Sequence, residues 1–425
     1  MPFKKYSTAL RERTLKWLSR IKEVDILVGI PTYNNEDTVG YVITQAGVGL
    51  HRYYRDLKTA IFVSDGGSTD NTRENALVAE VPSTVEKHVE IYRGIPGKGT
   101  SFRAIFEAAV SLNARAILVM DSDLRSITPE WIKFMGEPVL KDGYDFLWPF
   151  YKRHKFDGTI TNMIVYPMTR AVFFKDIRQP IGGDFSFTRR MAELFISRDV
   201  WDTDVAKFGI DIWMTSIAIH EARKYAQVYL GTKVHNAKDP AQDLSAMFTQ
   251  VVSTLFYMIG EYKEAWMKKQ ETEPVPILPT EAREKPLEDI RVSVEKMELE
   301  FMEGFKHFEP FYKAILSARA FEGLSQSYLE RASGDPLRFP PQLWARIIYD
   351  FAATYQTWSR NRRRLVNIMV PLYFGRTAAY SREVMDKPWE EAEKLIQQQA
   401  SIFEEHRDYF KGKFSKKLVD SGILF

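Results

Sequence analysis

Runs of apolar, often β-branched residues alternate with amphipathic stretches along the first half of the chain. Four runs have the length of buried strands and lead into polar turns: "VDILVGIPTY" at 24–33, "TAIFVSD" at 59–65, "VEIYRG" at 89–94 and "ARAILVMDSD" at 114–123. Helix signals follow them, such as the glycine-rich turn that opens "IPGKGTSFRAIFEAAVSL". Strands that alternate with helices imply right-handed crossovers and a parallel sheet. The pattern therefore predicts an α/β fold with a mostly parallel sheet and flanking helices.

The pattern changes after about residue 240, where apolar residues recur at helical spacing from Leu244 to Ile259. Asp239 and Pro240 suit the start of that helix. A proline-rich connector follows at 271–286, and the remainder reads as amphipathic helices. We therefore predict three parts, which are an N-terminal helix within 1–23, an α/β domain at 24–240 and a helical domain at 241–425 that offers a surface for dimerisation.

Composition excludes several classes of protein. The net charge of +3 over 425 residues gives no sign of a nucleic-acid-binding protein. No run of roughly 18–20 uncharged apolar residues could span a membrane, and the first residues lack the features of a signal peptide. Without cysteines there are no disulfides, thiolate nucleophiles or cysteine–zinc sites. A cytoplasmic enzyme is the expectation.

Polar clusters follow the predicted strands, where parallel sheets bind their ligands. Asp121 and Asp123 are two positions apart, so their side chains share one side of an extended chain and could grip a divalent cation. The same pair could instead be a solvated strand end. Lys98 in "PGKG" could favour an anion, but the phosphate-loop pattern is absent.

Three later segments add candidates. His235 ends a late predicted strand, "AQVYLGTKVH", and is placed to reach the same edge. Asp211 begins an apolar helix, where the helix dipole alone would explain an acid. The glycine pair in "QPIGGD" suits either a backbone that approaches a ligand closely or a simple tight turn.

Taken together, "IPTYNNEDTVG", "SDGGSTDNT", "PGKG", "MDSDLRSITPEWI", "QPIGGD", "FGIDIWMT" and "VHN" occur in an order that resembles nucleotide-sugar glycosyltransferases of the GT-A fold. The "QPIGGD" and "FGID" blocks make the chain similar, more narrowly, to the retaining glycosylglycerate synthases, which make mannosylglycerate or glucosyl-3-phosphoglycerate. The resemblance covers residues 24–270.

The resemblance implies a role for each matching residue. Those expected to bind the nucleotide sugar are Pro31, Thr32, Tyr33, Asn35, Asp65, Ser68, Lys98, Asp121 and Ser122. Those expected at the acceptor are Thr161, Gly183 and Asn236. Asp123 and His235 would bind Mg2+ or Mn2+, which would stabilise the leaving diphosphate. Asp211 matches an essential acid near the sugar and the acceptor.

Three departures from the family pattern affect the substrates. Asn35 followed by Glu36 replaces an expected Glu in the first loop, and the donor stays open between GDP-mannose, GDP-glucose and UDP-glucose. Thr159 stands where the phosphoglycerate enzymes have an arginine, which argues for unphosphorylated D-glycerate. Asn236 replaces another arginine, with Lys238 nearby as a substitute. An acidic acceptor normally needs a cation, so 3-phosphoglycerate or another hydroxy acid remains an alternative.

We therefore expect a metal-dependent hexosyltransferase that makes a glycosylglycerate compatible solute. One rival is a nucleotide-sugar-binding scaffold without catalysis. Another is a membrane-associated lipid glycosyltransferase that uses the aromatic and basic stretches at 256–269 and 359–367.

Overall fold

A computed structural model describes residues 7–236 and 244–415. The described residues form two compact units. The first contains residues 7–153, Arg178–Asn236 and Val275–Glu288, and the second contains His154–Ile177, residues 244–274 and residues 289–415. The predicted boundary at 240–241 lies outside the described residues, as do Lys238, Asp239 and Pro240.

The first unit is built on an eight-stranded sheet. Its strands are β1 Ile26–Thr32, β2 Thr59–Asp65, β3 Val85–Ile91, β4 Ala116–Val119, β5 Phe146–Lys152, β7 Phe185–Thr188, β8 Tyr225–Thr232 and β10 Ile277–Leu278. Their order across the sheet is β10-β8-β5-β7-β4-β1-β2-β3. All neighbours run parallel except β7, which is antiparallel to both β4 and β5. The predicted α/β fold with a mostly parallel sheet is confirmed.

Helices cover both faces of this sheet, which is why its inner strands are buried at every position rather than at alternate ones. The helices of this unit are α1 Glu12–Ile21, α2 Val39–Tyr53, α3 Thr72–Val78, α4 Lys98–Ser111, α5 Pro129–Lys141, α7 Arg189–Ile196 and α8 Ile210–Glu221. Strands β1, β2 and β4 are buried throughout. Gly29 of β1 lets α4 approach, because an added Cβ there would lie 2.3 Å from Ile105.

The sequence pattern predicts neither β5 nor β7. Pro149 lowers the strand signal of β5, since proline cannot donate to a ladder. The partner β7 bonds β5 only at Phe146 and Leu147, so Pro149 takes no part in that pairing. Strand β7 has four residues, too few for a clear pattern, and follows directly on the "QPIGGD" segment.

The second unit is helical, as predicted for the C-terminal part. It contains a π-helical turn at Thr161–Val165, α6 Tyr166–Val172, α9 Ser245–Glu261, α10 Lys263–Met267, α11 Val294–Ile315, α12 Ala318–Ala332, α13 Pro341–Thr357, α14 Arg362–Asn367, α15 Val370–Val384, α16 Trp389–Glu405 and α17 Arg407–Ser415. Two short parallel strands, β6 Lys175–Asp176 and β9 Glu273–Pro274, also belong to it. No helix in the described ranges has the length and hydropathy needed to cross a membrane.

Candidate active site at the carboxyl edge of the sheet

The loops that follow β1 and β2 are joined by side chain–backbone hydrogen bonds. The Asn34 N–H donates to Ser68 Oγ at 3.0 Å, and the Thr69 N–H donates to Asn34 Oδ1 at 2.9 Å. The Asn35 N–H donates to Thr72 Oγ1 at 2.7 Å. Asn34 takes a positive φ of 51°, which asparagine tolerates better than most residues. The two predicted nucleotide-binding loops are therefore held as one pre-formed surface.

Residues at the ends of these strands occupy different environments. Tyr33 is 59% exposed beside Gly66, so its ring is accessible for stacking. Pro31 and Thr32 close β1 and are buried. Asp65 is fully buried, and its Oδ2 accepts hydrogen bonds from the N–H groups of its own turn, including that of Ser68 at 3.0 Å. Asp65 thus shapes the turn, and its predicted contact with the nucleotide stays a prediction.

Asn35 and Ser122, both predicted to contact the nucleotide, lie together. The Ser122 hydroxyl donates to Asn35 Oδ1 at 2.7 Å, and the Thr38 hydroxyl donates to the Ser122 carbonyl at 2.8 Å. The first loop is thereby tied to the turn that carries Asp121 and Asp123.

Asp121 lies between two ammonium groups. Lys98, the first residue of α4, places its Nζ 2.9 Å from Asp121 Oδ1, and Lys233 places its Nζ 3.2 Å from Asp121 Oδ2. The Lys98 Nζ also lies 3.1 Å from Oδ2 of Asp211, in the first turn of α8. Three residues singled out from separate motifs therefore meet at one point of the carboxyl edge.

Burial and charge set the protonation of this cluster. Burial alone would lower the pKa of Lys98, but Asp121 and Asp211 raise it above its usual range. Burial would raise the pKa of Asp121, and the two lysines hold it well below its usual range. Burial raises the pKa of Asp211, opposed in part by Lys98. Asp211 is thus the carboxylate of this trio that is easiest to protonate.

Within the described residues, one of the two carboxylate oxygens of Asp211 has a polar partner. Its Oδ2 pairs with Lys98, whereas its buried Oδ1 has no hydrogen-bond partner among the residues that the structure describes. An acid in the first turn of α8 also interacts favourably with the helix dipole. The dipole does not supply the missing partner, so a carboxylate oxygen remains available to a ligand.

Asp123 and His235 are brought together by an antiparallel bridge between Leu124 and His235. His235 Nδ1 lies 3.5 Å from Asp123 Oδ2. Two ligands bound at right angles to one ion at about 2.1 Å would lie about 3.0 Å apart, so these two atoms would have to move about 0.5 Å closer to share a cation. No group of three or more histidine and acidic side chains that could hold a metal occurs in the described part of the chain.

The predicted acceptor residues are not all in one unit. Gly183, in the first unit, has φ +88°, and a Cβ added to it would lie 1.9 Å from Asp121 Oδ2. Asn236 is exposed and is the last described residue before the gap at 237–243. Thr161 begins the π-helical turn of the second unit and is buried.

A model of the mannosylglycerate synthase GT domain matches residues 40–256, just over half of the chain. The chain belongs to this glycosyltransferase family. The match includes Lys98, Asp121, Asp123, Asp211 and His235. It confirms the resemblance inferred from the motifs. No curated protein matches the chain.

Solved structures similar to this family member include glucosyl-3-phosphoglycerate synthase from Mycobacterium tuberculosis. Its complex with Mn2+, UDP-glucose and phosphoglyceric acid is 23% identical over 60% of this chain and 86% of that chain, with a TM-score of 0.45. Its complex with Mn2+, UDP-glucose and glycerol 3-phosphate is 22% identical over 61% and 87%, with a TM-score of 0.44. Its complex with Mg2+ and UDP is 22% identical over 57% and 83%, with a TM-score of 0.44.

Four polar residues of this candidate site are absent from the sequence predictions. Lys233 donates to Asp184 Oδ2 at 3.2 Å, the Tyr151 hydroxyl donates to the same carboxylate, and the Asp121 N–H donates to Asp184 Oδ1 at 2.8 Å. Arg153 places a guanidinium nitrogen 3.3 Å from His235 Nε2. Asp184 is the last residue of the quoted "QPIGGD" block, and Lys233 directly precedes "VHN". Lys233 shares a side of the extended chain with His235 by the period of two. Tyr151 and Arg153 lie in and just after β5, a strand the pattern does not reveal.

Proposed function

We propose that the protein is a metal-dependent, retaining hexosyltransferase that moves mannose or glucose from a nucleotide sugar to D-glycerate. The observation that carries this proposal is the Asp123–His235 pair next to the cluster of Lys98, Asp121 and Asp211 at one carboxyl edge. A cation site, a buried ion-pair cluster and a partly unpaired acid are the parts that glycosyl transfer from a diphosphate needs.

Asp123 and His235 would hold Mg2+ or Mn2+. An oxygen and an imidazole suit these ions, and Mg2+ is usually bound by only one or two carboxylates together with substrate phosphates. Two protein ligands are therefore enough. When bound, the ion neutralises the negative charge that grows on the diphosphate as the glycosidic bond breaks.

Asp211 would stabilise the sugar in the transition state. Glycoside transfer passes through an oxocarbenium-like sugar, and retaining enzymes ordinarily use a carboxylate nucleophile in two displacements. We propose instead a front-face attack, in which a diphosphate oxygen accepts the proton of the acceptor hydroxyl. The unpaired Oδ1 of Asp211 would face the positive charge, while Lys98 holds Oδ2. Burial strengthens this interaction because water screens it less.

Arg153 supports an acidic acceptor. Thr159 and Asn236 leave this chain without the arginines of the phosphoglycerate enzymes, whereas the Arg153 guanidinium lies beside His235. A guanidinium binds a carboxylate through two parallel hydrogen bonds. We propose that Arg153 binds the carboxylate of D-glycerate near Gly183, with Asn236 as a further acceptor contact. The acceptor role of Thr161, which lies in the second unit, stays a prediction. The alternative acceptors are 3-phosphoglycerate and other small hydroxy acids.

A matrix of donors and acceptors tests this function. GDP-mannose, GDP-glucose and UDP-glucose are each combined with D-glycerate or 3-phosphoglycerate, with Mn2+, with Mg2+ or with EDTA. We expect transfer for one pair that EDTA abolishes, with the donor's anomeric configuration retained in the product by NMR. An inverted product or EDTA-resistant transfer would overturn the proposal. If the protein shows no transfer and no metal-dependent hydrolysis of the donor, the scaffold alternative is favoured. Pelleting of the protein with lipid vesicles would favour the lipid-directed alternative.

Asp123→Asn tests the metal site separately. The substitution removes a charged ligand, so we expect the Mn2+ concentration that gives half-maximal activity to rise about tenfold or more. Asp142→Asn, at an exposed helix end, is the matched control and should leave this concentration unchanged. Dimerisation stays a prediction that sedimentation of the purified protein tests.

A further inference from the structure

Lys233 follows β8, two residues before His235, and its side chain is 3% exposed. An ammonium group has three hydrogens to donate, and three acceptors surround this one. They are Asp121 Oδ2 at 3.2 Å, Asp184 Oδ2 at 3.2 Å and the Gly182 carbonyl at 2.8 Å. The Tyr151 ring centroid lies 5.1 Å from Nζ. This lysine is therefore fully engaged inside the protein.

The partners of Lys233 come from separate segments of the first unit. Asp121 follows β4, Gly182 and Asp184 precede β7, and Tyr151 lies in β5. The Asp121 N–H donates to Asp184 Oδ1 at 2.8 Å, which closes a ring of contacts through Lys233. The Lys233 side chain thus connects the end of β4 to the glycine loop, Gly182–Gly183, and to the end of its own strand.

The charge of Lys233 also affects how the neighbouring ion pairs are shared. Asp184 is fully buried, and Lys233 is its cation partner within the described residues. Asp121 is shared, because Lys233 attracts one oxygen while Lys98 attracts the other. Without the Lys233 charge, Asp121 would turn fully toward Lys98, and the Lys98 ammonium would leave Asp211. The Lys233 charge therefore decides how Lys98 divides between two carboxylates.

The glycine loop depends on the same placement. Gly183 packs so closely on Asp121 that an added Cβ would lie 1.9 Å from its Oδ2. Gly182 is held by its carbonyl to Lys233. A shift of Asp121 would therefore also move the backbone that is predicted to contact the acceptor.

We propose that Lys233 is a positioning residue of the active site. It holds Asp121 and the Gly182–Gly183 loop so that Lys98 stays shared between Asp121 and Asp211. This inference rests on the function proposed above and assigns a role to a residue that acts through Asp121.

The test separates positioning from stability. Lys233→Met alone leaves Asp184 buried without a cation, which strongly destabilises proteins. The double variant K233M/D184N removes both charges, and its new amide oxygen can still accept the Asp121 N–H. Asp184→Asn alone is the matched control, because it keeps Lys233 on Asp121. All variants are compared by thermal unfolding, by steady-state kinetics on the best substrate pair, and by calorimetry with UDP and GDP in the presence of Mn2+.

We expect the double variant to unfold at nearly the temperature of D184N. Its kcat should be about tenfold or more below that of D184N, because small misplacements at an active site cost up to a hundredfold. The binding of UDP or GDP should weaken by a smaller factor than kcat falls, because Asp121 and Lys98 are predicted to contact the nucleotide whereas Asp211 would act on the transition state. K233Q/D184N replaces the double variant if methionine prevents folding.

Equal kcat values in D184N and the double variant would overturn the positioning role, and so would a loss in the double variant that appears only as weaker nucleotide binding. A wild-type protein without transfer activity would overturn the proposed function and with it this role. That outcome differs from a wild-type enzyme whose double variant stays fully active, which would overturn the role of Lys233 alone.

Discussion

Buried carboxylates in the two units have different surroundings. Glu298 of the second unit is 1% exposed, and both its oxygens are paired. Its Oε1 accepts from Arg382 Nε at 2.7 Å, and its Oε2 accepts from Arg382 at 3.0 Å and from Arg331 at 3.1 Å. Asp211 of the first unit is also buried, yet its Oδ1 has no partner in the described ranges.

The same contrast holds for a second acid. Asp350 is buried and accepts from the Ser317 N–H at 2.7 Å, from the Tyr409 hydroxyl and from Lys413. A buried charge left without partners costs several kcal/mol. The second unit meets this requirement internally and uses its acids to hold helices together. At the carboxyl edge of the first unit, Asp211 keeps one oxygen without a partner among the described residues, which indicates that a ligand completes the site.

Asp211→Asn is expected to have the largest effect. The amide keeps the shape but loses the charge that would stabilise the sugar, so kcat should fall roughly a hundredfold or more. Binding of UDP or GDP with Mn2+, measured by calorimetry, should stay nearly unchanged. Asp202→Asn, an exposed residue before the same helix, is the control. Near-normal turnover in D211N would remove the catalytic role of Asp211.

Asp211 also predicts the direction of the pH dependence. Its pKa is raised by burial, so the carboxylate takes up a proton at higher pH than an ordinary aspartate. Because the charged form is the one proposed to stabilise the sugar, kcat should fall as pH decreases through this pKa. The loss on acidification should be absent from the residual activity of D211N.

Glu298→Ala should show the opposite behaviour. Loss of the acid leaves Arg331 without this partner and leaves Arg382 with the exposed Glu295 at 3.8 Å, so the free energy of unfolding should drop by about 2 kcal/mol. This is below the full cost of a broken buried pair because both arginines are partly exposed. Urea unfolding measures this change, and kcat at low temperature should match the wild type. Glu300→Ala, exposed on the same helix, serves for comparison. A loss of activity with unchanged stability would contradict the view that Glu298 stabilises the fold and takes no part in the reaction.

Gly183→Ala adds a methyl group against Asp121 and places a side chain at φ +88°. We expect about a tenfold lower kcat/KM, because Asp121 and the loop must separate. Gly143→Ala separates the two causes, since Gly143 has φ +72° but no atom within 4 Å of an added Cβ. That variant should lose about 1 kcal/mol of stability and no activity. Equal activity losses in the two variants would argue for backbone strain alone.

His88→Phe should have the smallest effect. Burial lowers the His88 pKa to about 4, and its ring stacks on Trp17 at 4.8 Å. On acidification, the unfolded chain therefore takes up the His88 proton at a higher pH than the folded chain does. The contribution of neutral His88 to the free energy of unfolding is complete above a pH of about 6.5 and is lost as pH falls toward 4. Between pH 7 and 5 the wild type should lose roughly 1 kcal/mol more than H88F, after allowance for partial exposure. His307→Gln, whose ring is exposed, should keep the wild-type slope.

Most of the fold follows from local pattern. β1, β2 and β4 are buried on both faces and read as continuous apolar runs, and α8 begins beside Asp211 as expected. β5 and β7 do not, because Pro149 interrupts one and the other is too short. Since β7 is the antiparallel strand, the local sequence pattern also could not predict that one strand of the sheet runs antiparallel.

By itself, the sequence determined which residues end strands and which acids follow them. Alternation of side chains two apart and the burial of apolar runs depend only on near neighbours, so Asp121, Asp123 and the Lys98 turn could be found directly. Only the tertiary structure decided that Lys233 reaches Asp121 and Asp184, and that Arg153 reaches His235. Such contacts join distant segments whose register depends on the whole sheet, and no local period encodes them.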